Sequence, residues 1–338
     1  MKTIVLVKPE QFLRTDTSEA SKPGPGEALV SVQNVGICGT DLHAYRGRQP
    51  FFSYPRILGH ELGVEVLSVG EGVEAVNPGD HCAVEPYLNC GTCMACRNGK
   101  GNCCESLKVL GVHVDGGMRE RIVVPAHKLH GSKKLGLDQL ALVETLGIGA
   151  HAVDRAQLQK GENILVIGAG PIGLSVIQFA QVMGVNITLL ELNANRLAFA
   201  KSHFEIAHTI SKLENVEEQL RGLLVGDLPT VVFDATGNVS SMHSAFRLMA
   251  NGGKLIFVGL VQADITFHDP EFHRRETTLL ASRNSRSDDF KRIIHLMETG
   301  QVDTRPWITH RVGFEVLIDV FPLWLQPEQG VVKAMMEM

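Results

Sequence analysis

The sequence predicts an α/β chain of two units, one an irregular β unit and the other a doubly wound parallel sheet, and three observations carry that expectation. Its 338 residues suit two domains at roughly 150 residues each. Short β-branched runs broken by glycine and proline fill the chain as far as Ala150. From Asn163 onward, apolar runs alternate with helix-length segments, the pattern of buried parallel strands joined by crossover helices.

Taken in order, Met1 to Glu10 carries one short apolar run, Ile4 to Val7, with no basic segment before it and no small-residue cleavage site. It reads as a first strand rather than an export signal. Ala28 to Val35, Gly63 to Val69, Cys82 to Glu85 and Glu120 to Val124 read as strands of the β unit. In the second unit Asn163 to Ile167, Asn186 to Leu190, Thr230 to Phe233 and Lys254 to Val258 read as strands. Pro171 to Val182, Ala194 to Ser202 and Ser240 to Met249 read as helices. A packed helix is expected at the join near Gly147 to Ala150. A further apolar run, Thr278 to Ala281, precedes a helix at Asp288 to Glu298, and the strand-like tail after Gln301 is expected to rejoin the first unit.

Composition narrows the function. Hydrophobic residues make up 44% and charged residues 20%, the profile of a globular chain. A net charge of -5 without like-charge runs argues against a nucleic-acid partner. No stretch reaches the ~20 apolar residues of a membrane span, so the expectation is a soluble, cytoplasmic protein. Seven cysteines are present, five of them between Cys90 and Cys104. Without an export signal, such a cluster points to a metal site rather than to disulfides.

The strand Asn163 to Ile167 runs straight into Gly168-Ala169-Gly170-Pro171-Ile172-Gly173. In this context Gly168 allows a tight turn, Gly170 lets the backbone approach a pyrophosphate, and Gly173 lets helix and strand pack closely. The phosphates would sit at the helix N-terminus. Glu191 closes the next strand, where a carboxylate can accept from the adenosine ribose hydroxyls and would repel a 2′-phosphate, so NAD is expected over NADP. Arg196 is close enough to contact the adenine or to weaken that preference. Asp234 to Gly237, with Thr236, and Val258 to Leu260, with Gly259, end later strands and are expected to line the nicotinamide half.

Cys90, Cys93, Cys96 and Cys104 follow C-x2-C-x2-C-x7-C in a loop rich in Asn, Gly and Lys. Four thiolates can close a tetrahedral shell with no open position, the signature of structural zinc. By spacing alone, Cys103 competes with Cys104. A second constellation is dispersed: Gly36-Ile37-Cys38-Gly39-Thr40-Asp41-Leu42-His43, then Gly59-His60-Glu61, then Glu144 within the apolar stretch Ala141 to Ile148. One at a time these residues are unremarkable, since buried cysteines are ordinary small hydrophobes. Glu144 is harder to set aside, because a carboxylate among Leu142, Val143 and Leu146 needs a cation to offset its desolvation.

On these residues, in motif order and over essentially its whole length, the chain resembles the zinc-containing medium-chain alcohol dehydrogenases. The resemblance implies a GroES-like catalytic domain at residues 1–147 and 287–338 and a Rossmann domain at residues 148–286. It implies catalytic zinc on Cys38, His60 and Glu144, with Glu61 as a neighbouring or alternate ligand, and Thr40 and His43 as a proton relay. It selects Cys104 over Cys103 in the structural-zinc lobe, which makes two zinc ions per chain. Within the family the likeness is to the polyol and sugar-acid branch. It rests on Gln49-Pro50-Phe51-Phe52-Ser53-Tyr54-Pro55-Arg56, Asn102-Cys103-Cys104-Glu105, Gly111-Val112-His113 with Asp115-Gly116-Gly117, Asp269-Pro270-Glu271-Phe272-His273 and Ser282-Arg283-Asn284. Thr145 departs from the family, which usually has proline after the zinc-binding glutamate.

The expected chemistry is NAD-linked oxidation of a secondary hydroxyl on a small polar molecule, with a sugar acid favoured over a neutral polyol, diol or threonine. A carboxylate on that substrate would need a cationic partner. Arg283 and His113 are the candidates, with Arg46, Arg48 and Arg56 as alternatives. A homo-oligomer, dimer or tetramer, is expected. A non-catalytic dinucleotide-binding protein would be expected to have damaged ligands or relay residues, and all of them are present.

Overall fold

The computed structural model describes residues 1–50 and 52–338; Phe51, part of the stretch 49–56 quoted above, lies outside them. Two compact units result: Met1–Thr145 with Ser285–Met338, and Leu146–Asn284. Each crossing falls two residues earlier than the sequence suggested. The first crossing lies inside a helix, Val143–Ala156, so neither a turn residue nor a composition shift marks it. No helix among the described residues is long and apolar enough to cross a membrane.

The first unit is built on a seven-stranded mixed sheet. Its central strand, Glu27–Ile37, pairs antiparallel with Glu61–Val69, Arg121–Pro125 and Lys333–Glu337. The last of these pairings returns the C-terminal tail to the first unit. Inward-facing Val30, Val32, Val35, Val64 and Val66 are almost fully buried, each contributing roughly 1.5–3 kcal/mol relative to an exposed side chain. The N-terminal segment is a hairpin, Lys2–Lys8 with Gln11–Asp16.

The second unit is a six-stranded parallel sheet. Its order is His208–Ile210, Asn186–Leu190, Asn163–Ile167, Val231–Asp234, Lys254–Phe257 and Thr278–Ala281. The order reverses direction at Asn163–Ile167, and crevices at such switch points are where doubly wound sheets bind ligands. Helices Pro171–Val182 and Ala194–His203 follow the predicted periodicity. The helix expected over Ser240 to Met249 stops at Ala245. Beyond it the chain tightens into turns, and the Arg275 guanidinium donates to the carbonyls of Arg247 and Met249. Leu248 and Met249 stay buried, so the apolar periodicity outlasts the helix. The strand His208–Ile210 and the helix Val216–Leu223 were not expected, because the strand is short and the helix carries mostly polar residues.

Candidate metal centres and dinucleotide turn

The dispersed constellation is assembled by strand register. Gly36 pairs with Glu61 across the antiparallel ladder, so the end of one strand and the start of its neighbour bring Cys38 beside His60 and Glu61. On the other side Ala334 pairs with Ile37, which places Lys333 next to the same point. The chain then turns into a short helix, Gly39–Tyr45, and Asp41 accepts a 2.9 Å hydrogen bond from the Cys38 backbone N–H. Thr40 and His43 ride on that helix.

Ligand atoms of Cys38, His60 and Glu61 lie within 4.8 Å of one another. Glu144, expected as the third ligand, is not in this group. Its carboxylate is buried, and its Oε1 accepts from the Tyr87 hydroxyl. Helical position explains the difference, since the first turn of Val143–Ala156 aims Glu144 at Tyr87, whereas strand register alone brings Glu61 to the thiol. Glu61 Oε1 pairs with the fully buried Lys333 ammonium, and Asp41 Oδ1 approaches His60 Nδ1 at 3.7 Å.

Charge and unmet bonding make this a cation site. One thiol and three buried carboxylates, Asp41, Glu61 and Glu144, gather around Lys333 and the His60 ring as their positive partners. His60 Nδ1, Glu61 Oε2 and Asp41 Oδ1 are buried without a hydrogen-bond partner, a costly state unless something binds there. Burial raises the Glu144 and Asp41 carboxyls above their ordinary range. At His60, burial works against the charged ring, but Asp41 and Cys38 outweigh it and hold the imidazolium well above its usual value. A thiol, an imidazole and carboxylates suit zinc, so the residues present fit the metal. His43 is exposed, and its partial desolvation together with Arg46 and Arg48 lowers its pKa.

The second centre is local. Cys90, Cys93, Cys96 and Cys104 converge within 4.8 Å, and Cys103, the alternative by spacing, is exposed outside the group. Backbone N–H groups of Cys93 and Cys90 point at the sulfurs of Cys90 and Cys104, each at 3.3 Å. Backbone N–H groups of Cys93 and Thr92 pull the Cys90 thiol down to about 6, favouring the thiolate that binds metal.

The glycine turn follows Asn163–Ile167, with Gly170 as helix N-cap and Pro171 in the first turn. Gly168 sits at φ +96°, and a Cβ on Gly173 would lie 1.8 Å from the Gly168 carbonyl, so neither position accepts a side chain without rearrangement. Glu191 is buried, and its two oxygens accept from the backbone N–H groups of Ala169 at 2.6 Å and Asn193 at 2.7 Å. The carboxylate therefore braces the turn with one lone pair per oxygen already engaged. Arg196 is exposed, and its guanidinium lies 3.9 Å from where a Gly170 Cβ would stand. Thr236 donates to the buried Asp234, and Val258 and Gly259 donate their N–H groups to the Asp234 carbonyl, so these two strand ends form one braced rim. Ile172 lies in the first turn of the following helix.

The substrate candidates divide. His113 Nδ1 accepts from the Val109 N–H at 3.1 Å, which ties its ring to its own loop. Arg56 is committed to Asp115 and Ser53, and Arg46 donates to the Leu325 carbonyl. Arg283 is exposed at the end of the second unit. Sequence reasoning gave no role to Asp41, Tyr87 or Lys333. Asp41 lay inside the quoted motif, and Lys333 could have been noticed as a lysine opening the apolar run Ala334 to Met336.

Residues 24–134 match the alcohol dehydrogenase GroES-like domain, and residues 171–299 match the zinc-binding dehydrogenase domain. The chain is similar to L-galactonate-5-dehydrogenase of Escherichia coli K12, at 38% identity over 95% of this chain and 94% of that protein. It is also similar to 2-dehydro-3-deoxy-L-galactonate 5-dehydrogenase of Pseudoalteromonas atlantica, at 32% identity over 86% and 85%. Among solved structures, an alcohol dehydrogenase (rspB) from Escherichia coli CFT073 complexed with NADH superposes at a TM-score of 0.93. Its identity is 30%, over 100% of this chain and 99% of that one.

Proposed function

The chain belongs to the zinc-type alcohol dehydrogenases, and from that premise we propose that it oxidises a secondary hydroxyl of a sugar acid, an aldonate such as L-galactonate, to the ketone with NAD. The convergence of half-buried Cys38 with buried His60 and Glu61 carries this reading. Support for the substrate class comes from the two sugar-acid enzymes to which the chain is similar. Zinc supplies a Lewis acid for the substrate hydroxyl, and NAD supplies the hydride acceptor.

The residues divide the remaining work. Cys38 and His60, with Glu144 or Glu61 as the exchangeable carboxylate, would hold the metal, and Asp41 would orient His60. Thr40 offers its hydroxyl to the substrate proton, and His43, held neutral near pH 7 by its lowered pKa, accepts that proton and releases it to solvent. Gly168, Gly170, Pro171, Ile172 and Gly173 would cradle the pyrophosphate, Glu191 would meet the ribose hydroxyls with the lone pairs its backbone bonds leave, and Thr236, Val258 and Gly259 would border the nicotinamide. Arg283 offers a planar fork to the substrate carboxylate, with the His113 imidazole as a weaker partner. A dimer or tetramer belongs to the same reading, since Thr278–Ala281 is an edge strand paired on one side among the described residues.

The test is NADH formation from a panel of aldonates, neutral polyols and simple alcohols, with zinc measured on the same sample. Turnover of aldonates well above the rest is expected. Activity confined to neutral polyols would overturn the substrate class and leave the machinery standing.

A further inference from the structure

The stretch from Glu85 to Tyr87 buries two polar side chains for which the chemistry above has no use. Tyr87 is 2% exposed and Glu85 2% exposed. The Tyr87 hydroxyl donates to Glu144 Oε1, and the Ser285 hydroxyl lies beside the same phenol. Glu85 pairs with the Lys128 ammonium and with His130 Nε2 at 3.1 Å, and its Oε2 accepts from Ser287 Oγ at 2.6 Å.

The sequence positions of these partners are not scattered. The chain leaves the first unit after Thr145 and returns at Ser285. Glu144 is the last residue but one before departure; Ser285 and Ser287 are the first and third after return. One short stretch of the first unit therefore fastens the chain on both sides of its excursion, and one of the fastened groups, Glu144, is one of the two carboxylates proposed to serve the metal.

We propose that Tyr87 is a positioning residue for the metal centre: its phenol occupies Oε1 of Glu144 and leaves the other oxygen to serve the metal singly. This rests on the reading of Glu144 as a zinc ligand. The neighbouring Thr145 hydroxyl makes no hydrogen bond to the Glu144 carboxylate, so the buried Tyr87 donor on one oxygen makes the choice between one-oxygen and two-oxygen binding. Carboxylates that ligate metals are themselves held by such partners, whose loss weakens binding by about 10- to 100-fold.

The test is Tyr87→Phe in the full chain, read by zinc competition with a chelator and by the visible spectrum of the enzyme with cobalt(II) in the three-residue centre. The expected result is zinc affinity lower by about tenfold or more at that centre, with a shifted cobalt spectrum. Glu85→Gln, which breaks the other fastening and leaves the phenol, is expected to lower the melting temperature while affinity and spectrum hold. A Tyr87→Phe protein that melts earlier but keeps its zinc affinity and cobalt spectrum would overturn the proposal, because a purely structural tyrosine predicts that result. Glu144→Gln separates the two readings. Lost affinity in Glu144→Gln but not in Tyr87→Phe sinks the role of Tyr87 alone, and unchanged affinity in Glu144→Gln sinks the ligand assignment beneath it.

Discussion

The two metal-ligand clusters of the first unit differ in how the chain makes them. The four-cysteine lobe draws its sulfurs from residues 90 to 104, leaves Cys90 exposed, and is organised by N–H groups of its own loop. The Cys38 cluster draws on a strand end, a strand start and, through Lys333, a strand near the C-terminus, and its histidine and carboxylates are buried. A local cluster needs little beyond its loop to converge. A dispersed one exists only once the sheet has formed, so its buried charges depend on the whole fold to balance them.

The sharpest way to break this contrast is to remove one ligand from each cluster. His60→Ala is expected to lower NADH formation on the order of 10⁴-fold, as deletion of a central catalytic group does. Metal analysis should show the lobe's zinc retained, and loss of both ions would mean that the clusters are not independent. Cys96→Ser is expected to act on stability instead, costing about 4 kcal/mol or more as lost structural metals do, read by chemical denaturation. Undiminished stability would remove the lobe's structural role.

Lys333→Met probes the dependence on distant balance. It strands Glu61 as a buried charge, which typically costs about 3–5 kcal/mol, and added zinc should recover part of the loss in denaturant midpoint. An unchanged midpoint would mean that Glu61 is not charged in the folded protein. His43→Gln should slow turnover by about 10²-fold with zinc content intact, and a wild-type rate would take His43 out of the relay.

The smallest effect concerns the fastening beside the lobe. His130, Lys128 and Ser287 overcome the burial of Glu85 and hold its carboxyl below the ordinary value of 4.5. The unfolded chain then binds the proton more readily than the folded one. Stability from this group is fully present above that value and is lost as pH falls through the lower folded one. Denaturant midpoints between pH 6 and pH 3 should decline less in Glu85→Gln than in the parent, and parallel declines would dismiss the linkage.

Legibility in the sequence followed the same division. Both the cysteine spacing and the glycine turn are contiguous, and their chemistry is carried by residues a few positions apart. Cys38, His60 and Glu144 were recognisable only as a joint pattern, and which carboxylate stands with the thiol was not, because the register between Glu27–Ile37 and Glu61–Val69 brings Glu61 there. Likewise Glu191 was legible as an acid after a strand, but its two bonds to backbone N–H groups depend on how the turn and the next helix fold over it.

What the sequence by itself determined is the pair of folds, the four-cysteine lobe and the phosphate-cradling turn, since hydrophobic periodicity, thiol spacing and glycine sterics act over short stretches of chain. Only the tertiary structure decided the partners of buried charge: Lys333 with Glu61, Tyr87 with Glu144, and Lys128, His130 and Ser287 with Glu85. A buried charge must find its counterpart wherever the packed chain brings one, and no local rule says how far along the sequence that counterpart lies.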